Sequence, residues 1–410
     1  MKIKDESSVS VVLSGIGGYG LMYLSAMLDH PDGSRFRLAA VADPFPERCN
    51  RLDDIHSRSI PVFRSLDDFF QKERAELAIL SSPIQWHSRQ ACLGLEMGSH
   101  VLCEKPLAAT VQDAGRIIRS RKESGRQVAV GYQWSFSRAI LALKKDILSG
   151  EFGRPVRLKT FHLWPRDDKY YRRNDWAGRK RDASGDWILD SPANNAFAHE
   201  LHNMFFLLGG RIDRSALPVE VTAELYRAHP IENFDTCVCR ARTADSTEIL
   251  FLVSHATERK IGPWFHFEFD RAVIRLDETH PQITASFPDG SVRLYGRPDN
   301  DPQEKKLWDF LDSIRTGEPV ACGPEAASAQ VLCVNAMQES MPEITVFPDL
   351  MIRSRRGPDN RWVSVEGLEK ALIGCFERSA MPNEIGLPWS VRANRVDLTP
   401  YDFFPREDHP

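Results

Sequence analysis

Long apolar runs, a surplus of positive charge and Cys-x-x-Cys pairs are all missing from this chain of 410 residues. A membrane-spanning helix needs roughly 18 consecutive apolar residues, so none is expected. The net charge of -4 argues against a nucleic acid or an anionic membrane surface as partner. The eight cysteines lie mostly in apolar runs, which predicts buried free thiols and a reducing cytoplasm. Residues 1–6 are charged and lack the pattern of a secretory signal, which fits that location.

The composition is that of a folded protein with more than one domain. Hydrophobic residues make up 42% of the chain and charged residues 27%, which is enough to fill a sizeable core. A length of 410 residues exceeds one ordinary core. We expect a Rossmann domain at 1–133, an α+β substrate domain at 134–342 and an extension at 343–410 that packs on the body.

A glycine-rich turn stands near the start of the chain. The apolar run 9–14 ends in a G-x-G-x-x-G pattern, a helical pattern follows, and a second apolar run, 36–42, ends at Asp43. Strand, glycine turn, helix and a later acid form the setting in which this pattern binds a dinucleotide. The pyrophosphate would lie at the helix start, on loop residues Gly15, Ile16, Gly17, Gly18, Tyr19 and Gly20. Asp43 would bind the adenosine ribose and favour NAD, whereas nearby Arg48 keeps NADP open.

Strand and helix patterns alternate through the rest of the first 130 residues. This alternation predicts a doubly wound parallel sheet with helices on both faces. Ligands of such sheets bind beyond the carboxyl ends of the strands. The residues that follow those ends are expected to line the cofactor: Pro44, Ser82, Pro83, Glu104, Lys105 and Gln133.

The second half of the chain has a different pattern. Apolar and polar residues alternate in 156–159, 237–240 and 265–269, and Asp289 and Gly290 mark a hairpin. An open, mostly antiparallel sheet is therefore expected, followed by helices at 304–316 and 325–340. The segment beyond 342 is too rich in aromatics for a disordered tail.

Lys105 is the first candidate for chemistry. A lysine beside the nicotinamide site can bind a substrate hydroxyl, or take its proton if burial lowers the lysine pKa. The alternative is a surface lysine paired with Glu104.

A polar stripe around His199 is the second candidate. His199 and His202 are three residues apart and would share a helix face, with Asn195 one turn earlier and Asn203 beside them. Such a stripe suits a site that binds several hydroxyls. Two alternatives remain: a metal site formed by Asp190, His199 and His202, or two histidines with a purely structural role. The favoured expectation is a site without a metal.

Residues 164–176 combine aromatic rings with arginines. Aromatic faces beside polar forks are suited to sugar rings and acidic polyols, although a solvated loop is equally compatible. The candidates for substrate contacts are Trp164, Arg166, Tyr170 and Trp176.

Together these motifs resemble the Gfo/Idh/MocA oxidoreductase family over about residues 9–340. The resemblance rests on the glycine loop, on Ala42-Asp43-Pro44, on Ser82-Pro83 with His87, on Glu104-Lys105-Pro106, on the His199 helix and on the segment 310–317. It implies a Rossmann domain followed by an α+β domain whose open sheet often makes oligomer contacts, here a dimer or tetramer. By motif position it makes Lys105 and His199 the catalytic pair, and it adds His87 to the cofactor site.

This chain departs from the family pattern at three positions. Asn195 and His202 stand where the family usually has acidic residues, and Ile84 stands where it usually has an asparagine. The function expected is NAD-dependent oxidation or reduction of a hydroxyl-bearing carbon in a sugar, inositol or related polyol. The alternatives are a glycosidase-like elimination with transient oxidation by NAD, and a non-catalytic, cofactor-binding regulator.

Overall fold

The computed structural model describes residues 8–30 and 34–406. The predictions made for residues 1–6 and 407–410 lie outside the described residues. Eleven elements form the N-terminal part: β1 (Val9–Ser14), α1 (Gly20–Leu28), β2 (Phe36–Ala42), α2 (Leu52–Ser57), β3 (Val62–Phe63), α3 (Leu66–Lys72), β4 (Leu77–Leu80), α4 (His87–Glu96), β5 (His100–Cys103), α5 (Val111–Ser124) and β6 (Val128–Val130).

The six strands of this part form one parallel sheet in the order β3-β2-β1-β4-β5-β6. Strands β1, β4, β5 and β6 are almost wholly buried because helices cover both faces, as in other parallel sheets. Order and direction match the doubly wound fold that the glycine turn and the alternation predicted. The carboxyl ends of β1, β4 and β5 therefore meet at one edge.

The remainder of the chain holds a second sheet, its helices and a C-terminal segment. The elements are α6 (Arg138–Leu148), β7 (Pro155–Leu163), α7 (Asp168–Tyr171), α8 (Ala198–Leu207), β8 (Pro218–Arg227), β9 (Thr236–Thr243), β10 (Glu248–Ser254), β11 (Ile261–Phe269), β12 (Ala272–Leu276), β13 (Ile283–Ser286), β14 (Val292–Gly296), α9 (Lys305–Thr316), α10 (Pro324–Ser340), β15 (Thr345–Val346), β16 (Ile352–Arg356), β17 (Arg361–Val365), α11 (Leu368–Arg378) and β18 (Arg395–Asp397).

The second sheet runs in the order β14-β13-β12-β11-β7-β10-β9-β8-β15, and β18 pairs with β8. Two of its pairings, β7 with β10 and β8 with β15, are parallel, and the others are antiparallel. The predicted open, mostly antiparallel sheet is thus confirmed. Its hairpin turn at Gly290 has the positive φ of 86° that favours glycine.

Both faces of the sheet centre are covered. Ile249 and Phe251 of β10 belong to the main core, whereas Leu250 and Leu252 pack with α11 on the opposite face. Strand β10 is consequently a continuous buried run and lacks the alternation of a half-exposed strand.

The described part of the C-terminal segment packs on the body of the protein. Leu372 and Phe376 of α11 share an apolar cluster with Phe161 and Leu250, and β15 and β18 extend the sheet at β8. The chain's own α11 thus covers one face of the central strands, and the expected oligomer contact through this sheet stays a prediction. The boundaries at 133 and 342 stay predictions, since one apolar core continues from β1 to α10.

Candidate active site

The glycines of the loop have two different roles: some allow close packing of the backbone, and one leaves space at the cofactor site. A Cβ on Gly20 would lie 1.9 Å from the carbonyl oxygen of Gly15, and one on Gly15 would lie 2.7 Å from that of Ser81. Gly15 and Gly18 have positive φ angles of 83° and 51°. A Cβ on Gly17 would meet no described atom within 4 Å. The loop thus provides the tight turn, the close helix packing and the open backbone that a pyrophosphate requires.

Asp43 holds this loop in shape. One carboxylate oxygen accepts the backbone N–H of Ile16 at 2.9 Å, and the other accepts that of Phe45 at 2.8 Å. This contact was not foreseen, because the sequence suggested only a ribose contact. Pro44 is exposed, and the guanidinium of Arg48 lies 4.3 Å from the centre of the Phe45 ring. Arg48 thus packs on the ring two residues after Asp43, and the NADP alternative stays open.

Glu104 is turned into the protein interior. It is 6% exposed, and its carboxylate accepts hydrogen bonds from the Tyr23 hydroxyl and the Lys306 amine. The carboxylate thus ties α9 to the end of β5, and the cofactor contact expected of Glu104 stays a prediction. Lys306 and Tyr23 were missed because nothing in their local sequence distinguishes them from other helical residues.

His87 connects two strand ends. Its Nδ1 lies 2.8 Å from the carbonyl oxygen of Pro106 and its Nε2 lies 2.9 Å from that of Ser82. The ring is 1% exposed and holds the two strand ends together, and its expected place in the cofactor site stays a prediction. Ser82 and Pro83 are half-buried at this edge, as is Gln133 beyond β6.

Lys105 lies at the centre of the site. Its Nζ donates to the backbone oxygen of Asn195 at 2.7 Å and approaches the Asn195 Oδ1 at 3.4 Å. The alternative of a surface lysine paired with Glu104 is therefore wrong. Burial lowers the pKa of Lys105 to about 8, although the nearby carboxylates of Glu104 and Asp190 oppose that shift. A lysine with this pKa is able to hold or accept a proton near neutral pH.

Asn195 precedes α8, which begins at Ala198, so its expected place on that helix is wrong. Its side-chain Nδ2 donates to Asp190 Oδ1 at 2.9 Å. Asp190 is 2% exposed, and its other oxygen accepts the backbone N–H of Gly178 at 2.6 Å. Lys105, Asn195 and Asp190 thus form one connected chain, which brings a buried carboxylate to the site through an amide.

His199 and His202 have different surroundings, although both lie on α8. His199 is half-buried, contacts Tyr132 and Trp134 edge-on or tilted, and its buried Nδ1 has no protein partner in the described structure. Burial and the charge of Lys105 hold the pKa of His199 well below its usual value. The site therefore pairs a neutral imidazole with a lysine amine.

His202 is 1% exposed and its Nε2 lies 2.9 Å from the Ser135 hydroxyl. Burial lowers its pKa to about 3. Asn203 is also 1% exposed. The structure places both side chains inside the protein, away from the expected substrate stripe, because α8 is buried over nearly its whole circumference. The described residues contain no cluster of three or more metal-ligating side chains, and Asp190 and His202 have separate partners.

The segment 164–176 stacks its arginines on its aromatic rings. The guanidinium carbon of Arg166 lies 3.7 Å from the Trp164 ring centre and 4.5 Å from that of Tyr170. Arg173 lies 3.8 Å from the Tyr170 ring centre and 5.2 Å from that of Trp176. The four predicted residues of this segment are thus brought together, and Arg173 is added to them.

Comparison with known proteins agrees with this geometry. Residues 9–132 match the family described as "Oxidoreductase family, NAD-binding Rossmann fold". The inositol 2-dehydrogenase of Rubrobacter xylanophilus is 30% identical over 159 residues, which is 38% of this chain and 45% of that protein. The matched part thus spans less than half of that relative.

Solved structures extend the likeness in fold to most of the chain. The WlbA dehydrogenase from Bordetella pertussis, in complex with NADH and UDP-GlcNAcA, superposes with a TM-score of 0.66 and 21% identity over 82% of this chain and 97% of that one. An oxidoreductase from Agrobacterium radiobacter in complex with NAD⁺, L-tartaric acid and magnesium superposes with a TM-score of 0.66 and 18% identity. The match covers 82% of this chain and 97% of that one. Residues 9–132 thus match the Gfo/Idh/MocA oxidoreductase family over its NAD-binding Rossmann fold, and the solved structures share the fold of most of the chain.

Proposed function

We propose that the protein is an NAD-dependent dehydrogenase or reductase that acts on a hydroxyl-bearing carbon of a sugar, inositol or related polyol. The observation that carries the proposal is the half-buried amine of Lys105, whose pKa of about 8 lies near neutral pH. It follows β5, at the edge where the glycine loop follows β1. A proton-accepting group beside a dinucleotide site is what alcohol oxidation requires.

Lys105 and His199 are the proposed catalytic residues. NAD, when bound, supplies the acceptor for the hydride that leaves the substrate carbon. The neutral amine of Lys105 takes the hydroxyl proton, and the proton returns to the oxygen in the reverse direction. His199 is held neutral by burial and by the Lys105 charge, so it is suited to hydrogen-bonding the reacting oxygen.

Asn195 and Asp190 are proposed positioning residues. The backbone oxygen of Asn195 accepts a 2.7 Å hydrogen bond from the Lys105 amine and so fixes its position. The side-chain amide of Asn195 is held in turn by Asp190. The negative charge of Asp190 favours the protonated amine and so opposes the effect of burial. This arrangement supplies a carboxylate to the site although residue 195 is not acidic.

The substrate class is supported by the arginines of segment 164–176, which the rings of Trp164 and Tyr170 hold in place and whose N–H groups are suited to hydroxyl and carboxylate oxygens. The matched inositol dehydrogenase is named for a cyclic polyol. A cytoplasmic location is supported by the eight free cysteines. An oligomer remains part of the proposal, with its contact outside the face covered by α11.

The test is NADH formation at 340 nm with a panel of sugars, sugar acids and inositols. Lys105→Met is expected to lower turnover by about 10²–10⁴-fold and to leave NAD affinity within about twofold, because the amine bonds Asn195 and not the glycine loop. Lys145→Met, on the surface helix α6, is the matched control and should retain full activity.

Two results would contradict the proposal. One is undiminished turnover by Lys105→Met, and the other is NAD binding without turnover of any substrate, as the regulator alternative predicts. Cleavage of a glycoside without accumulation of NADH would favour the elimination alternative.

A further inference from the structure

Cationic and aromatic side chains alternate in one stack beside the proposed site. Each cationic group lies between 3.7 and 5.2 Å from the centre of the aromatic ring it contacts, and Lys260 Nζ joins the stack at 4.4 Å from the Trp164 ring. Cations over aromatic rings are stabilised by the ring quadrupole, most strongly where water is excluded. This cationic stack consists of Lys260, Trp164, Arg166, Tyr170, Arg173 and Trp176.

Arg166 is the half-buried arginine of the stack. No carboxylate of the described chain forms an ion pair with its guanidinium, and its buried Nε has no hydrogen-bond partner there. The neighbouring Asp167 uses one oxygen to accept the Tyr170 N–H and the other to accept the Asn360 side chain. A half-buried guanidinium in this state retains N–H donors for an acceptor that the protein itself does not supply.

The stack leads directly to the proposed catalytic lysine. Arg173 Nη2 lies 3.8 Å from Asp190 Oδ2, and Asp190 Oδ1 accepts the amide that orients Lys105. Arg173 also donates to the backbone oxygen of Tyr170, so it has a carbonyl and a carboxylate partner within the protein. Arg166 is therefore the arginine of the stack without an acidic partner among the described residues, and it is connected through Tyr170 and Arg173 to the carboxylate beside Lys105.

We propose that Arg166 binds a carboxylate of the substrate, so that the substrate is a sugar acid or acidic polyol. The inference rests on the proposed function and specifies its substrate class. Stacking on two rings covers the faces of the guanidinium, so a ligand would bind at its in-plane edge, which matches the two oxygens of a planar carboxylate. Trp164 and Tyr170 would hold that plane in place. One free fork suits a single carboxylate better than a doubly charged phosphate.

Binding and turnover are tested separately. Quenching of tryptophan fluorescence, to which Trp164 and Trp176 contribute, reports binding of D-glucuronate, D-galacturonate, D-gluconate, D-glucose, myo-inositol and D-glucose 6-phosphate in the presence of NAD. We expect saturable quenching by one or more of the carboxylates and weaker binding of the neutral sugars. Arg166→Gln should weaken carboxylate binding by about 10- to 100-fold, the loss expected for a charge-assisted hydrogen bond.

Two further variants control for folding and for general charge. Arg172→Gln removes an exposed neighbour that pairs with Asp168 and should bind carboxylates normally. Arg166→Lys retains the charge without the planar fork and should give an intermediate affinity. Unchanged NAD affinity in each variant shows that the fold is intact, and a rise in KM with little change in kcat distinguishes binding from catalysis.

The proposal is overturned if none of the carboxylates binds, if Arg166→Gln and Arg172→Gln bind them equally, or if glucose 6-phosphate binds more tightly than the acids. Failure of the proposed function has a different signature: carboxylates would still bind through Arg166, but no member of the panel would yield NADH.

Discussion

The side-chain amide of Asn195 donates to the buried Asp190 at 2.9 Å, five residues earlier in the chain. The backbone oxygen of the same asparagine accepts from the Lys105 amine at 2.7 Å. Asn195 is therefore the link through which a carboxylate fixes the lysine. The site thus contains a carboxylate although residue 195 itself is an amide.

Asp190→Asn is expected to move the pH profile of kcat/KM to lower pH. Oxidation needs the neutral amine of Lys105, so the rate should rise with pH and level off above about 8. Asp190 raises the pKa of Lys105, so removing its charge should lower the midpoint of the profile. The shift is measured from NADH formation between pH 6 and 10.

Asp186→Asn, an exposed position of the same loop, is the control and should keep the native midpoint. An unshifted profile in Asp190→Asn would show that Asp190 serves structure alone.

Gly17→Ala and Gly20→Ala should separate cofactor access from packing. The new Cβ at residue 17 meets no described atom, so the protein should keep its Tm within about 2 °C but bind NAD more than about 10-fold more weakly. The Cβ at residue 20 would overlap the Gly15 carbonyl, so Tm should fall by about 5 °C or more.

Thermal unfolding followed by circular dichroism and calorimetric titration with NAD provide the two measurements. Equal stability of the two variants would show that Gly20 is not a packing glycine.

Asp43→Ala should weaken NAD binding by about 10- to 100-fold, because two charge-assisted hydrogen bonds are lost. These are the bonds from the backbone N–H groups of Ile16 and Phe45. Affinity for NADP should fall less, since the change also removes a negative charge beside the ribose. Titration with both dinucleotides gives the ratio, and Asp53→Ala on α2 is the matched exposed control. A native preference for NADP would argue against the role assigned to Asp43.

Leu372→Ala should lower the free energy of unfolding by about 2–5 kcal/mol, because this fully buried side chain fastens α11 to the sheet. Leu350→Ala changes a leucine that is 88% exposed and should stay within about 0.5 kcal/mol. Denaturant unfolding measures both values. Equal effects would mean that the C-terminal segment contributes little to the stability of the body.

Much of the fold could be predicted because its signals are local. The glycine turn, the buried strands and the helix ends at Gly125 and Gly317 are set by residues within one or two turns of each other. The place of Lys105 at a strand end followed from the same patterns. By contrast, α8 shows why the polar stripe was misjudged: its spacing placed His199 and His202 together, but burial on almost every side separated their roles.

By itself the sequence determined the cofactor class, because Gly15, Gly17 and Gly20 act through the local backbone geometry of one short segment. Tertiary structure alone decided the partners of the side chains that carry chemistry. Glu104 turns inward to Lys306, some 200 residues away, and Lys105 turns to Asn195, because burying a charge requires compensation by whichever groups the fold brings near. Such partners depend on packing between distant segments, which no local pattern records.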